Sequence, residues 1–79
     1  MSHVPHELPE EFPDKIDVMH DLKMNDAHFQ RLSDEYHELN RQIHRVETGI
    51  EPTSEQFETQ LRKKRLHLKD EIASMLANA

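Results

Sequence analysis

The chain contains no cysteine and no tryptophan, and only one glycine among its 79 residues. Without cysteine it forms no disulfide and offers no thiolate for catalysis or metal binding. One glycine cannot build a phosphate-binding loop or a series of tight β-hairpins. No apolar run approaches the roughly 18 residues of a membrane-spanning helix, and the first residues lack the basic start and apolar stretch of a signal peptide. We therefore expect one domain or less, without a membrane segment.

The composition that remains is polar, with 34% hydrophobic residues and a formal net charge of −6. Such a composition is typical of either a disordered chain or a long charged helix. The spacing of apolar residues decides between them, because from Phe29 to Ile50 they alternate in steps of three and four. This is the a/d pattern of a helix that packs along one side, which we call the heptad seam.

Residues that favour helix ends divide the chain into three helices. Pro13 suits the first turn of a short helix over 13–24. Asn25 and Thr53 are favoured N-caps for longer helices over 26–48 and 54–78. Gly49 favours a left-handed end to the second helix. A continuous helix through Asn25 is the alternative at the first boundary.

Two helices of similar length joined by a short connection pack antiparallel. The predicted fold is therefore all-α: an antiparallel, coiled-coil-like two-helix hairpin preceded by a short N-terminal helix. Residues 13–79 form its single domain, and residues 1–12 form a flexible acidic arm that contains histidine. The predicted seam residues are Phe29, Leu32, Tyr36, Leu39, Ile43, Val46, Phe57, Leu61, Leu68, Ile72 and Met75.

The hairpin register follows from pairing a with d positions across the seam. It places Phe29 opposite Met75 and Ile43 opposite Leu61. The exception is Leu39, which faces Arg65. We expect the aliphatic stem of Arg65 to lie on Leu39 while its guanidinium reaches water.

A second face of the third helix carries Leu66, about 140° from the seam at ~100° per residue. Either the short first helix folds onto this face or a second copy docks there; a monomer with an exposed Leu66 is the remaining alternative. Because a two-helix core is thin, we favour a homo-oligomer, most simply a dimer. The candidate partner surface comprises Arg62, Leu66, Lys69, Asp70 and Ala73.

Residues with catalytic or ligand chemistry form no recognisable site. None of the seven histidines has a second histidine four residues away, the helical spacing for a shared metal. His3 and His6 give only an H-x-x-H pair in the arm. A thin hairpin offers no water-excluded pocket to perturb carboxylate pKa values. We expect no enzyme activity, no cofactor, no catalytic residue and no metal ligand, with a histidine-dependent metal binder as an alternative.

A basic cluster at 62–69 contains Arg62, Lys63, Lys64, Arg65 and Lys69. It makes a nucleic-acid-associated protein another alternative. Four consecutive cations point all round a helix, however, and the acidic remainder of the chain repels phosphate. The simpler interpretation is a solvated face with local ion pairs, such as Glu58 with Arg62 at i, i+4.

Two stretches resemble a known family. The first includes Asn25-Asp26-Ala27-His28-Phe29 and continues through the seam to Ile43-His44-Arg45-Val46-Glu47. The second runs from Leu61 to Ile72 and joins a basic run to Leu-x-Leu-Lys-Asp-Glu. Over residues 18–76 the chain resembles the YdcH-like family of small bacterial proteins. The resemblance implies a short, cytoplasmic, coiled-coil protein of unknown function, with no catalytic or binding residue to carry over.

The sequence thus predicts a helical protein–protein interaction module that self-associates in the cytoplasm and has an unidentified protein partner. Changing Leu66 to Glu is expected to disrupt assembly and leave the hairpin helical.

Overall fold

The computed structural model describes residues 4–79 and shows the predicted all-α fold. In chain order the elements are α1 (Leu8–Glu11), a 3₁₀ turn (Pro13–Lys15), α2 (Ile16–Asn25), α3 (Ala27–Glu47) and α4 (Glu55–Ala77). α3 and α4 pack together as the hairpin, and α2 packs against α3. Residues 4–79 include no strand, and none of their helices combines the length and apolarity needed to cross a membrane.

The core lies between α3 and α4. Nine of the predicted seam residues are buried: Phe29, Leu32, Tyr36, Leu39, Ile43, Val46, Leu61, Leu68 and Ile72. Met75 packs partly buried against them. Phe57 differs, since its side chain is 40% exposed. In the predicted register its facing residue on α3 is Glu47, which binds Arg62 instead.

The helix is interrupted between α2 and α3 at Asp26, one residue later than the predicted N-cap, Asn25. Asn25 is still helical, and its side-chain amide donates to the carbonyl of Asp21. Asp26 leaves the helical dihedrals, and its carboxylate accepts from the backbone N–H groups of His28 and Phe29. The N-cap of α4 is likewise Ser54, in place of the predicted Thr53.

Gly49 ends α3 as predicted, with φ of +80°. The N–H of Gly49 donates to the carbonyl of Val46, and that of Ile50 to the carbonyl of Arg45. This pair of bonds is the Schellman arrangement, which needs a left-handed residue at its centre. The connection to α4 can then turn back sharply.

The structure corrects the prediction for residues 4–12, which we call the N-terminal segment. In place of a flexible arm, it contains the helical turn α1 and buries Leu8 in the core cluster. The short helix predicted over 13–24 corresponds to α2. It packs against α3 of its own hairpin, and Met19 is buried in that contact. Burial of Leu8 and Met19 adds apolar contacts to a core that the two long helices alone would leave thin.

Candidate interaction surfaces

The predicted partner surface lies along α4, with Arg62 at its edge next to α3, where it binds Glu47. Leu66 is 58% exposed there. Arg62 and Asp70, four residues to either side of it, are exposed, and Ala73 is partly buried. Lys69 is turned elsewhere, because its ammonium lies 3.4 Å from the Glu11 carboxylate and 5.9 Å from the centre of the Phe12 ring. The surface open to a partner is therefore Arg62, Leu66, Asp70 and Ala73.

The basic cluster is largely paired within the chain. Arg62 donates at 2.9 Å to both Glu47 on α3 and Glu58 on α4, which confirms the predicted local pair. The hydrogen bonds that Arg62 donates to Glu47 are the main cause that raises the pKa of the Arg62 guanidinium above its usual value. Arg65 and Lys69 also have partners, Asn40 and Glu11. Lys63 and Lys64, between Arg62 and Arg65, are exposed.

A second surface holds the N-terminal segment. The Tyr36 hydroxyl donates to the carbonyl of His6, and the Asn40 side-chain amide donates to the carbonyl of Pro5 at 2.9 Å. Asn40 is 1% exposed, and its other amide atom, Oδ1, accepts from Arg65 at 2.9 Å. The guanidinium of Arg65 therefore binds a buried amide through one of its nitrogens. These three side chains belong to α3 or α4. The hairpin therefore binds the backbone of the segment through Tyr36 and Asn40.

Charged groups lie beside these two backbone hydrogen bonds. The imidazole Nδ1 of His37 lies 3.2 Å from the Glu7 carboxylate. The Glu11 carboxylate lies 2.9 Å from Nδ1 of His6 and 3.4 Å from Nζ of Lys69. Its hydrogen bond with His6 and the nearby Lys69 charge hold the pKa of Glu11 below its usual value. We call Tyr36, His37, Asn40, Arg65 and Lys69 the segment-docking site.

Tyr36 responds to the same surroundings. Its side chain is fully buried, and burial is the main cause that raises its pKa to about 12. The Glu11 and Glu7 charges raise the pKa further, whereas Arg65 opposes the rise. The phenol is thus held in its neutral form, the form that can donate to the His6 carbonyl.

Sequence reasoning missed Asn40 as a functional residue. A signal was present, because Ser33 and Asn40 lie seven residues apart, each directly after a seam leucine, and both are buried. Two polar residues repeated beside a seam mark a stripe of α3 that another element covers. The pattern alone does not identify the N-terminal segment as that element.

Histidines form no metal centre in the part of the chain described, where no group of three His, Asp or Glu side chains is placed to hold an ion. His6 and His37 face glutamates of the N-terminal segment, and His67 pairs with Glu71 at 2.8 Å along α4. The predicted H-x-x-H pair rests partly on His3, which lies outside the described residues.

Comparison with protein-family models shows which family the chain matches. A protein-family model described as "Protein of unknown function (DUF465)" matches residues 29–76, more than half of the chain. The matched region spans the hairpin, including the α4 surface and all five residues of the segment-docking site. It does not include the N-terminal segment or α2. No curated protein and no solved structure matches the chain.

Proposed function

The chain belongs to the DUF465 family of proteins of unknown function, which includes the YdcH-like proteins, and from this premise we propose that it is a protein–protein interaction module that self-associates through α4. The proposed contact is formed by Arg62, Leu66, Asp70 and Ala73. Its role is binding without catalysis, and a further protein partner would use the same helical surface.

The observation that carries this proposal is the exposure of Leu66. Its side chain is 58% exposed in the middle of a 23-residue helix whose opposite side is buried. Full burial of a leucine contributes about 1.5–3 kcal/mol. The N-terminal segment and α2 pack on the hairpin, yet they leave this side chain in solvent. This leaves a second copy on this face or a monomer with an exposed Leu66, and we favour the second copy because it buries the side chain.

The charges beside Leu66 suit contact between identical surfaces. Arg62 and Asp70 stand four residues before and after it, each about 6 Å away along the helix at ~1.5 Å per residue. In an antiparallel pair centred on Leu66, Arg62 of one copy lies level with Asp70 of the other. The two-fold axis makes each such pair occur twice, which is the property of an isologous interface.

The test is the mass of the protein in solution, measured by sedimentation over a range of concentrations. Wild-type protein is expected to exceed the mass of a single chain as concentration rises. Leu66→Glu is expected to have a lower average mass than the wild type at each concentration, because it places a charge in the apolar centre of the contact. Its far-UV circular dichroism should stay helical, since the residue is outside the core.

Gln60→Glu is the matched control, because it adds the same charge at an exposed position on a different side of α4. It should associate like the wild type. A wild-type protein that remains a single chain throughout, or a Leu66→Glu variant that associates as well as Gln60→Glu, would contradict the proposed contact.

A further inference from the structure

We propose that the segment-docking site also accepts the N-terminal segment of a second copy, so that two copies of the chain exchange residues 4–12. This interaction uses a different part of the hairpin from the Leu66 contact and stands independently of it.

The site recognises main chain, which makes it indifferent to which chain supplies the segment. Tyr36 and Asn40 donate to the carbonyls of two consecutive residues, His6 and Pro5. Arg65 donates to Oδ1 of Asn40 and so holds the amide with its N–H groups toward the segment. A site arranged in advance by its own helix pair binds a segment at a lower entropic cost. The same donors are offered to a segment in cis and in trans.

Charge complementarity specifies the chemistry of the occupant. Residues 4–12 carry three glutamates and no Lys or Arg. Two of the three, Glu7 and Glu11, lie against His37 and Lys69. These contacts come from different helices of the hairpin, so the acidic segment bridges α3 and α4. The site is therefore suited to a short acidic segment with a leucine anchor, and a second copy provides such a segment.

The attachment of the segment in cis is limited in extent. Leu8 is the one buried residue of the segment, and Phe12 is only partly buried beneath Lys69. A single leucine contributes about 1.5–3 kcal/mol when buried. The segment is joined to α3 only through the 3₁₀ turn and α2, and the family match covers the docking site without the segment. Exchange of terminal elements is a low-cost route to dimers.

The test uses two full-length variants with reversed charges at exposed or half-buried positions. The site variant carries His37→Glu and Lys69→Glu, and the segment variant carries Glu7→Lys and Glu11→Lys. The site variant places two carboxylates against Glu7 and Glu11 in cis, and the segment variant places the new lysine at position 11 against Lys69. In a mixture every segment finds a complementary site on the other chain. Both carry Leu66→Glu as well, so that failure of the Leu66 contact cannot be mistaken for failure of exchange.

An equimolar mixture is expected to sediment at twice the mass of one chain, while each variant alone stays at the single-chain mass. The control combines all four reversals in one Leu66→Glu chain, which restores complementary charges in cis. It should sediment like the Leu66→Glu parent. A mixture that keeps the single-chain mass would overturn the proposal, as would a four-reversal control that associates as strongly as the mixture.

A second measurement covers the case in which a variant folds poorly. A fluorescent peptide with the sequence of residues 4–12 is titrated into the segment variant, whose own segment is repelled and whose site is intact. Saturable binding is expected, weakened at least tenfold when the peptide carries lysines in place of Glu7 and Glu11. No binding by a segment variant with wild-type helicity, or equal binding of both peptides, would also overturn the proposal.

Discussion

The buried polar side chains of α3 connect parts of the chain that lie far apart in sequence. Tyr36 and Asn40 donate to main-chain carbonyls 30 and 35 residues away. A buried donor without a partner costs about 1–3 kcal/mol, so these two residues favour the packed N-terminal segment over a free one. They replace contacts that a longer apolar core would otherwise supply.

Tyr36 makes this packing measurable by pH titration. It is the only tyrosine, and the chain has no tryptophan, so ultraviolet absorbance reports its ionisation alone. Its folded pKa is raised to about 12 from 10.0. Because the folded chain keeps a proton that the unfolded chain loses, stability is expected to fall as pH rises from about 10 to about 12.

The absorbance of folded protein should therefore titrate with a midpoint near 12, and the urea-unfolded chain should titrate near 10. Coincident midpoints would show that the hydroxyl is not buried against the segment. A variant with Leu8→Asp, which disfavours the docked segment, should move the folded midpoint toward the unfolded value.

The ends of the helices depend on neighbouring residues that can both serve as caps. Asn25-Asp26 and Thr53-Ser54 each offer two such residues. In both pairs the second residue caps the following helix. At the first boundary the reason is visible, because Asn25 completes α2 by donating to Asp21 and the chain leaves the helix only at Asp26.

Removing the cap of α3 should therefore be more costly at Asp26 than at Asn25. Asp26→Ala deletes the carboxylate that accepts from His28 and Phe29, and about 1 kcal/mol of unfolding free energy should be lost. Asn25→Ala is the matched control, with a smaller effect because its amide serves only the exposed end of α2. Urea denaturation followed by circular dichroism compares the two, and a larger loss at Asn25 would contradict the assigned cap.

The whole molecule is an antiparallel hairpin supported on one side by its own N-terminal residues. Its core cluster consists of twelve buried apolar side chains, ten on the hairpin together with Leu8 and Met19. In a domain this small, total stability is only a few kcal/mol, so each central side chain contributes a large share.

Ile72 offers a direct test of this thin core. Its side chain is fully buried, and Ile72→Ala should cost about 2–5 kcal/mol through lost burial and the resulting cavity. We expect a partly unfolded protein at 25 °C, detected by thermal and urea denaturation. Leu66→Ala, at the exposed face of the same helix, should cost less than about 1 kcal/mol in dilute protein. Similar losses for both would show that α4 does not pack with the assigned face inward.

Some features followed from local pattern and some did not. The a/d spacing of Phe29 through Val46 predicted which side of α3 is buried, because helical periodicity places such residues in one stripe. The position of Leu66 outside the seam followed from the same periodicity, and the turn at Gly49 followed from the preference for glycine at a left-handed helix end. The partners of Asn40 and Arg65 did not follow, because Asn40 joins Arg65 on α4 to a segment whose own spacing has no helical period.

The sequence by itself determined the all-α class, the two long helices, the turn at Gly49 and the family, since each depends on residues close together along the chain. The tertiary structure alone decided where residues 4–12 lie and which hydrogen-bond partners Asn40 and Arg65 have. These outcomes depend on contacts between residues 25 or more positions apart, such as Arg65 with Asn40 and Asn40 with Pro5. Local propensity contains no information about such contacts, because they arise only when the hairpin has closed and its buried donors require acceptors.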